Sequence, residues 1–440
     1  MRFCIERIGK IEKADVELKG ITVIAGKNNT GKSTVGKALY CIFNSFYQLD
    51  RQIEEARRSR LKTAIRRAFI GEYLVRSDAR GVQSWLENKP IEYPSLEEYQ
   101  EFSTVLKQYV RLFDTNNEKY VDLSDDDVHK IAVEIRQIRG ISRKEIYQRI
   151  LSQWLKREFS NEVNYLPFVN EEKARLALFI CGEDIEAMIE NHQVTQISNL
   201  RPLHTRAIYI DSPFAIDSLS LVEDAFYPLR KIPAVLRDFG LSNHKEHLLE
   251  CLRSIKTKNS ADQAMGEILA DQRMDRILYK LSEVCDGEIE LRDSVHGSFR
   301  YVGKSGVDLN VANLSAGMKS FVLIKQLLQN ESLEEKGVLI LDEPEVHLHP
   351  EWQILFAEVI VLLQKEYNMH ILLTTHSPYF LHAIEVYSAK HRIADRCRYY
   401  LAENVGGRAH LKNVTRKTEL VYNKLVHPFE ILKAEQYGNG

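Results

Sequence analysis

The stretch ITVIAGKNNTGKS, residues 21–33, constrains this chain more than any other. Its first five residues, ITVIA, read as a short strand buried on both faces. The run breaks into G-x-x-x-x-G-K-S at Gly26–Ser33, and the spacing beyond it predicts a helix from Ser33 to about Phe46. Strand, glycine-bounded loop and helix, in that order, form the setting in which backbone N–H groups converge on phosphate. Gly26 and Gly31 let the backbone wrap an anion closely, with Lys27, Asn28, Asn29 and Thr30 between them and Thr34 beyond. Lys32 is placed for the β- and γ-phosphates of a nucleotide, and the Ser33 hydroxyl for Mg²⁺. ATP and Mg²⁺ are therefore the expected ligands.

A second stretch supplies carboxylates. VLILDEPE, residues 338–345, is an apolar strand ending in Asp342 and Glu343, and ligands of open α/β sheets bind at such carboxyl ends. Asp342 is expected to hold Mg²⁺ through water, and Glu343 to orient and deprotonate the attacking water. LLTTHSP, residues 372–378, is another buried strand, ending in His376. NLSAGMKSF, residues 313–321, reads as a turn opening a helix, with the N–H groups of Ser315, Ala316 and Gly317 available to an anion.

The elements between these motifs divide the chain. Residues 1–50 carry the first strands and the phosphate loop. From 51 to 200 the pattern is mostly helical and charged, without sustained heptads, which predicts a compact helical insert. Within it SRKEIYQRILSQWLKREF opens with a Ser142-x-x-Glu145 capping box and is expected to bury Ile146, Ile150, Trp154 and Leu155. Strands return at RAIYIDSP (206–213) and in a hairpin, GEIELRD…GSFRYVG, so residues 201–391 complete the core. A hairpin and helix occupy 392–440. The fold class is thus α/β, an ATPase core on a mixed sheet interrupted by an insertion.

The order of these motifs resembles that of ABC-type ATPases: phosphate loop, Leu-Ser-x-Gly turn, hydrophobic-Asp-Glu strand, then a histidine that senses the γ-phosphate. That resemblance implies a catalytic role for His376 beside Glu343. It also implies that Ser315, Ala316 and Gly317 close over nucleotide held by a second copy, so the chain works as a homodimer or higher homo-oligomer. LSAGM and DEPEVHLHPEWQ depart from transporter ATPases and are similar to the soluble SMC/RecF-like branch. Within it they look like the overcoming-lysogenisation-defect-like ATPases of bacterial antiphage systems such as Septu and PARIS. The likeness covers roughly 1–45 and 205–385. It implies a sensor or scaffold that holds or licenses a separately encoded effector nuclease, with a nucleic acid or phage component as trigger. A DNA-repair ATPase of the RecF kind and a nucleotide-locked platform with little turnover are the alternatives.

Other features bound these expectations. A net charge of -2 gives no global attraction to nucleic acid. Six cysteines without ligand spacing, and an amino terminus unlike a signal peptide, point to a reducing cytoplasm. The apolar run at 354–363 is too short to span a bilayer, so no membrane partner is expected. His347 and His349 belong to the family stretch and not to a metal site. Arg57, Arg58, Lys62, Arg66 and Arg67 cluster on one helix, read first as a solvated face. Asp125–Asp127 read as a loop and helix cap. Gln48 and Asp211 are weak candidates for a Mg²⁺-sensing residue. The sixty-odd residues after His376 are fewer than the hundred or so that the Toprim nuclease of the family's single-chain members needs, and lack its pattern of a glutamate and a later Asp-x-Asp, so no intrinsic nuclease is expected.

Overall fold

The buried run Ile21–Gly26 lies in the middle of the largest sheet, and each of its residues is inaccessible to solvent. The computed structural model describes residues 1–68, 73–74, 112–114, 119–121, 124–164, 173–180, 182–219, 243–253, 272–292, 298–304 and 306–438. Two compact units emerge: Met1–Tyr47 with Gln148–Pro233 and Gly240–Gly440, and Gln48–Tyr147 with Ala234–Phe239.

In chain order the strands are β1 Arg2–Ile8, β2 Ile11–Glu17, β3 Ile21–Gly26, β4 Tyr73–Leu74, β5 Leu112–Asp114, β6 Lys119–Val121, β7 Ala174–Ile180, β8 Glu183–Glu190 and β9 Gln193–Ser198. They continue with β10 Ala207–Ile210, β11 Glu288–Arg292, β12 Ser298–Val302, β13 Asp308–Asn310, β14 Val338–Asp342, β15 His370–Thr375, β16 Cys397–Val405 and β17 Arg408–Asn413. The helices are α1 Lys32–Phe46, α2 Leu49–Ala68, α3 Asp125–Gly140, α4 Arg143–Glu158, α5 His244–Arg253, α6 Gln272–Leu281, α7 Ala316–Gln329, α8 Pro350–Tyr367, α9 Pro378–Lys390 and α10 Glu419–Gly438.

The first unit is built on an eleven-stranded sheet, ordered β10-β14-β15-β3-β16-β17-β2-β1-β7-β8-β9. Its parallel half, β10-β14-β15-β3-β16, consists of apolar strands buried on both faces. Their side chains alternate between two helical layers. Leu339 and Leu341 share a core with Phe321 of α7 and Phe356 of α8. Ile340 and Tyr209 face α1, where Gly36 leaves room for them. The other half is antiparallel apart from the parallel β17–β2 pair, and β8 within it buries every second residue. The expected class, an α/β phosphate-loop core on a mixed sheet, is what the structure shows.

Two expected boundaries move. Residues 174–198, expected inside the helical insert, are β7–β9 and extend the main sheet. Their apolar residues repeat every second position, as in Ile185, Ala187 and Ile189, and the charged residues between them take the wetter face. The carboxyl-terminal hairpin is no appendage either, because β16 and β17 fill the sheet between β3 and β2. Within the second unit, β4–β6 form a small antiparallel sheet, and α2 and α3 are its long helices. The capping box at the start of α4 forms as expected: Glu145 N–H donates to Ser142 Oγ and Ser142 N–H donates to Glu145 Oε2. Ile150, Trp154 and Leu155 are buried along this helix, whereas Ile146 is half-buried and Tyr147 and Leu151 fill the core instead.

The sheet is tightest where β3 ends. Gly26 lies opposite Ala402 of β16, and a Cβ at Gly26 would fall 2.5 Å from the Ala402 carbonyl oxygen. Backbone cannot step aside as a side chain can. Gly26→Ala should therefore cost about 1–3 kcal/mol of stability, read as an earlier midpoint in urea denaturation.

Candidate active site

Strands β14, β15 and β3 run parallel, with Asp342 opposite Thr374 and Thr374 opposite Ile24. Their carboxyl ends therefore meet on one edge, which gathers the phosphate loop, the acidic pair and His376. The loop departs from ordinary backbone at Asn29 (φ 65°) and at Gly31 (φ 79°). Gly31 is the N-cap of α1 and offers no side-chain cap, so the first N–H groups of that helix are left for a ligand. A Cβ at Gly31 would also fall 2.5 Å from Ile11 Cδ1.

Lys32 follows, only 4% exposed. A buried ammonium must be paired. Lys32 Nζ donates to the carbonyls of Gly26 (3.1 Å) and Lys27 (3.0 Å) and sits 3.1 Å from Glu343 Oε1. The loop lysine and the strand carboxylate thus already share one site. An uncapped helix start, a left-handed glycine and a buried cation held by exchangeable partners fit a polyphosphate.

The acids are oriented from the neighbouring strands. Thr374 Oγ donates to Asp342 Oδ1 at 2.5 Å and accepts Glu343 N–H at 3.0 Å. Tyr209 OH donates to Asp342 Oδ2 at 3.0 Å. Glu343 adopts φ 49°, a left-handed conformation that costs a non-glycine residue energy and persists only where neighbours enforce it. His376 Nδ1 lies 3.5 Å from Glu343 Oε2 and 3.7 Å from Glu345 Oε1. Glu345 is buried, accepting from Thr375 Oγ (2.5 Å) and His376 N–H (3.0 Å). Burial outweighs those donors and pushes its carboxyl up.

A cavity of about 750 Å³ opens over this edge, lined by Asn28, Asn29, Thr30, Gly31, Lys32, Ser33, Thr34 and Glu343. Gly9, Lys10, Glu162, Asn164 and His192 complete its wall. A smaller neighbouring cavity, about 210 Å³, takes in Asp342, Asp211, Ser320 and His347. Ser315 is the exposed N-cap of α7, and its Oγ accepts Met318 N–H at 3.3 Å. Gly317 is a glycine because a Cβ would lie 2.9 Å from the Trp352 ring. Residues 315–317 line neither cavity.

The remaining sequence candidates separate as follows. Asp211 Oδ2 lies 3.0 Å from His244 Nε2 and 3.4 Å from Lys245 Nζ, which ties it into a buried cluster. Gln48 lines neither cavity. His347 packs edge-on against Phe214 at 5.0 Å, and among the described residues no group of three His, Cys, Asp or Glu is placed to hold a metal. Asp125 and Asp126 are exposed at the start of α3. Arg57 donates to Glu54 Oε1 and to the Ile141 carbonyl. The side chains of Arg58, Lys62, Arg66, Arg67 and Asp127 lie outside the described residues. Among the described residues no helix is long and apolar enough to cross a membrane.

Sequence reasoning missed Tyr209, Thr374 and Glu345 around the acids, and Lys10, Glu162, Asn164 and His192 around the cavity. Only His192 carried a local signal, as half of an Asn-His pair between two alternating strands.

A phosphate loop facing a hydrophobic-Asp-Glu strand end, on a mixed sheet with an antiparallel lobe, defines a phosphate-loop ATPase core. Residues 5–381 match the AAA ATPase domain family, and the chain belongs to it. A stretch of 95 residues is 35% identical to a retron Ec83 probable ATPase of Escherichia coli, covering 19% of this chain and 17% of that protein. The endonuclease GajA of Bacillus cereus is 19% identical over 395 residues, 82% of this chain and 52% of that protein. The chain thus spans about a sixth of the first relative and about half of the second. An SMC head domain from Thermotoga maritima aligns over 94% of this chain and 98% of that one at 12% identity, with a TM-score of 0.36.

Two buried histidines of α5 are shifted in opposite directions. Burial pushes the His244 imidazolium down, but the carboxylates of Asp211 and of Glu158, 2.6 Å from Nδ1, outweigh it and raise it above 6.5. Lys245 and Lys37 flank the same acids. Burial, helped by the Arg206 charge, lowers His247 to about 3. A raised value favours the folded state below pH 6.5, and the gain is lost as pH climbs through the folded value. A lowered value does the reverse, losing stability as pH falls below 6.5. His244→Gln should flatten the alkaline limb of the stability curve and His247→Gln the acid limb. Each slope is at most about 1.4 kcal/mol per pH unit, measured by urea unfolding across pH.

Proposed function

We propose that this chain is a cytoplasmic ATPase of a bacterial antiphage system, hydrolysing ATP at sites shared between two copies and so controlling a separately encoded effector nuclease. The observation that carries the ATPase chemistry is the contact between buried Lys32 and Glu343. When ATP binds, γ-phosphate oxygens replace the carboxylate against Lys32 Nζ, and the released carboxylate takes the proton of the attacking water. Asp342 stays fixed by Thr374 and Tyr209, and His376 is positioned beside Glu343 to donate toward the γ-phosphate. Mg²⁺, held by Ser33 and Asp342, would neutralise charge on the β- and γ-phosphates.

The shared site is supported by the placing of the Ser315 turn, at the surface and outside the cavities that contain the phosphate loop and acids. The defence setting is supported by the likeness to retron ATPases and to GajA. A separate effector is supported by the commitment of Asp342 and Glu343 to nucleotide chemistry, since phosphodiester cleavage generally needs convergent carboxylates of its own. The trigger is proposed to be a nucleic acid or phage component.

Lys32→Ala should abolish ATP binding, whereas Glu343→Gln should keep it and slow hydrolysis about 100-fold or more, trapping a closed ATP-bound assembly. Equilibrium nucleotide binding and phosphate release read these outcomes, and wild-type turnover in Glu343→Gln would remove that residue from its role.

Sharing of sites makes its own prediction. Ser315→Arg protein should bind ATP yet not hydrolyse it, and mixing it with Lys32→Ala protein should restore part of the activity. No recovery in verified mixed dimers would count against composite sites that act independently. Homogeneous protein should leave DNA and RNA uncut with Mg²⁺ or Mn²⁺, with or without ATP. Cleavage that co-purifies with it would place the nuclease in this chain.

A further inference from the structure

The cavity over the phosphate loop has a second wall that the ATPase chemistry does not use. Strands β8 and β9 are joined by a two-residue turn, Asn191-His192, between the paired Glu190 and Gln193. Both turn residues have positive φ, 50° and 62°, as a type I′ hairpin requires. The second position of such a turn favours glycine, so a histidine there carries backbone strain. His192 nevertheless lines the cavity with Glu162, Asn164, Gly9 and Lys10.

The ring is held in one orientation. Asn164 N–H donates to His192 Nδ1 at 3.1 Å, and His192 N–H donates to Asn164 Oδ1 at 2.9 Å. Asn164 is buried and bridges to Ile8, and Gly9 N–H donates to the Val163 carbonyl at 3.0 Å. Because Nδ1 accepts, the neutral ring carries its proton on Nε2, leaving a donor unused by this latch. Exposed Glu162 adds a carboxylate acceptor to the same wall.

We infer that His192 and Glu162 form a nucleoside-binding wall that selects adenine over guanine; the inference rests on the nucleotide reading of the phosphate loop. With phosphates at residues 28–34, the nucleoside has the rest of this cavity to occupy. On its N7 edge adenine presents a ring-nitrogen acceptor beside its N6 amino donor, whereas guanine presents the two acceptors N7 and O6 on that edge. A histidine N–H with a carboxylate matches the first pattern, and the carboxylate would face an acceptor in the second. The strained turn is then the cost of aiming the imidazole at the base.

His192→Gly tests this without endangering the hairpin, since glycine suits φ 62°. The readouts are binding of ATP, GTP and inorganic triphosphate, and the thermal midpoint. The expected result is an unchanged or raised midpoint, ATP affinity about tenfold weaker, triphosphate affinity unchanged and a smaller preference for ATP over GTP. Glu162→Gln should likewise narrow the ATP/GTP ratio and spare triphosphate. Equal weakening of ATP and triphosphate would make His192 a structural latch and overturn the inference, as would unchanged ATP affinity. Wild-type protein that binds neither ATP nor triphosphate would overturn the parent reading with it.

Discussion

The site depends on one strand in one register. β15 lies between β14 and β3, and its last residues serve every acid on the edge. The buried hydroxyl of Thr374 orients Asp342 and anchors the Glu343 backbone, and that of Thr375 holds Glu345. His376 then emerges beside Glu343 and Glu345. Strand side chains alternate between faces, so a shift of one residue would turn Thr374 and Ile371 to the wrong sides together. The apolar half of the strand fixes that register, because Ile371 and Leu373 belong to the main core. Packing remote from the phosphate loop thereby sets the geometry of these acids.

The phosphate loop, the acidic strand end and the histidine were legible because each is a local pattern whose chemistry needs neighbouring residues. Their meeting on one edge was legible only through the ATPase resemblance, since the register that joins them is long-range. The three strands at 174–198 were obscured for a physical reason. A sheet with one wet face places a charge at nearly every second position, and Glu183, Asp184, Glu186 and Glu190 make that segment look like the charged helices before it. Tyr209 and Thr374 had no signal at all. A tyrosine or threonine inside an apolar strand is ordinary, and only its distance to Asp342 reveals a task.

Local rules fail in two places in this unit that bear on the site. Glu343 and His192 both hold left-handed backbone without being glycine, and both line the same cavity. Such conformations survive where surrounding contacts over-determine them. Glu343 is pinned through Thr374, and His192 through the paired contacts with Asn164. Propensity would have put glycine or asparagine at each.

The position of β3 has a consequence for how the chain is made. This strand and the phosphate loop are synthesised well before both neighbours of β3 in the sheet, β15 and β16, which lie beyond residue 369. An emerging chain therefore carries an apolar strand whose hydrogen-bonding edges stay empty until those segments emerge. Contacts of such sequence separation form slowly, and unpaired strands of this kind invite association with other chains. The nucleotide site cannot exist on a nascent chain. It is closed only once β15 and β16 have arrived beside β3, and the early strand needs shelter until then.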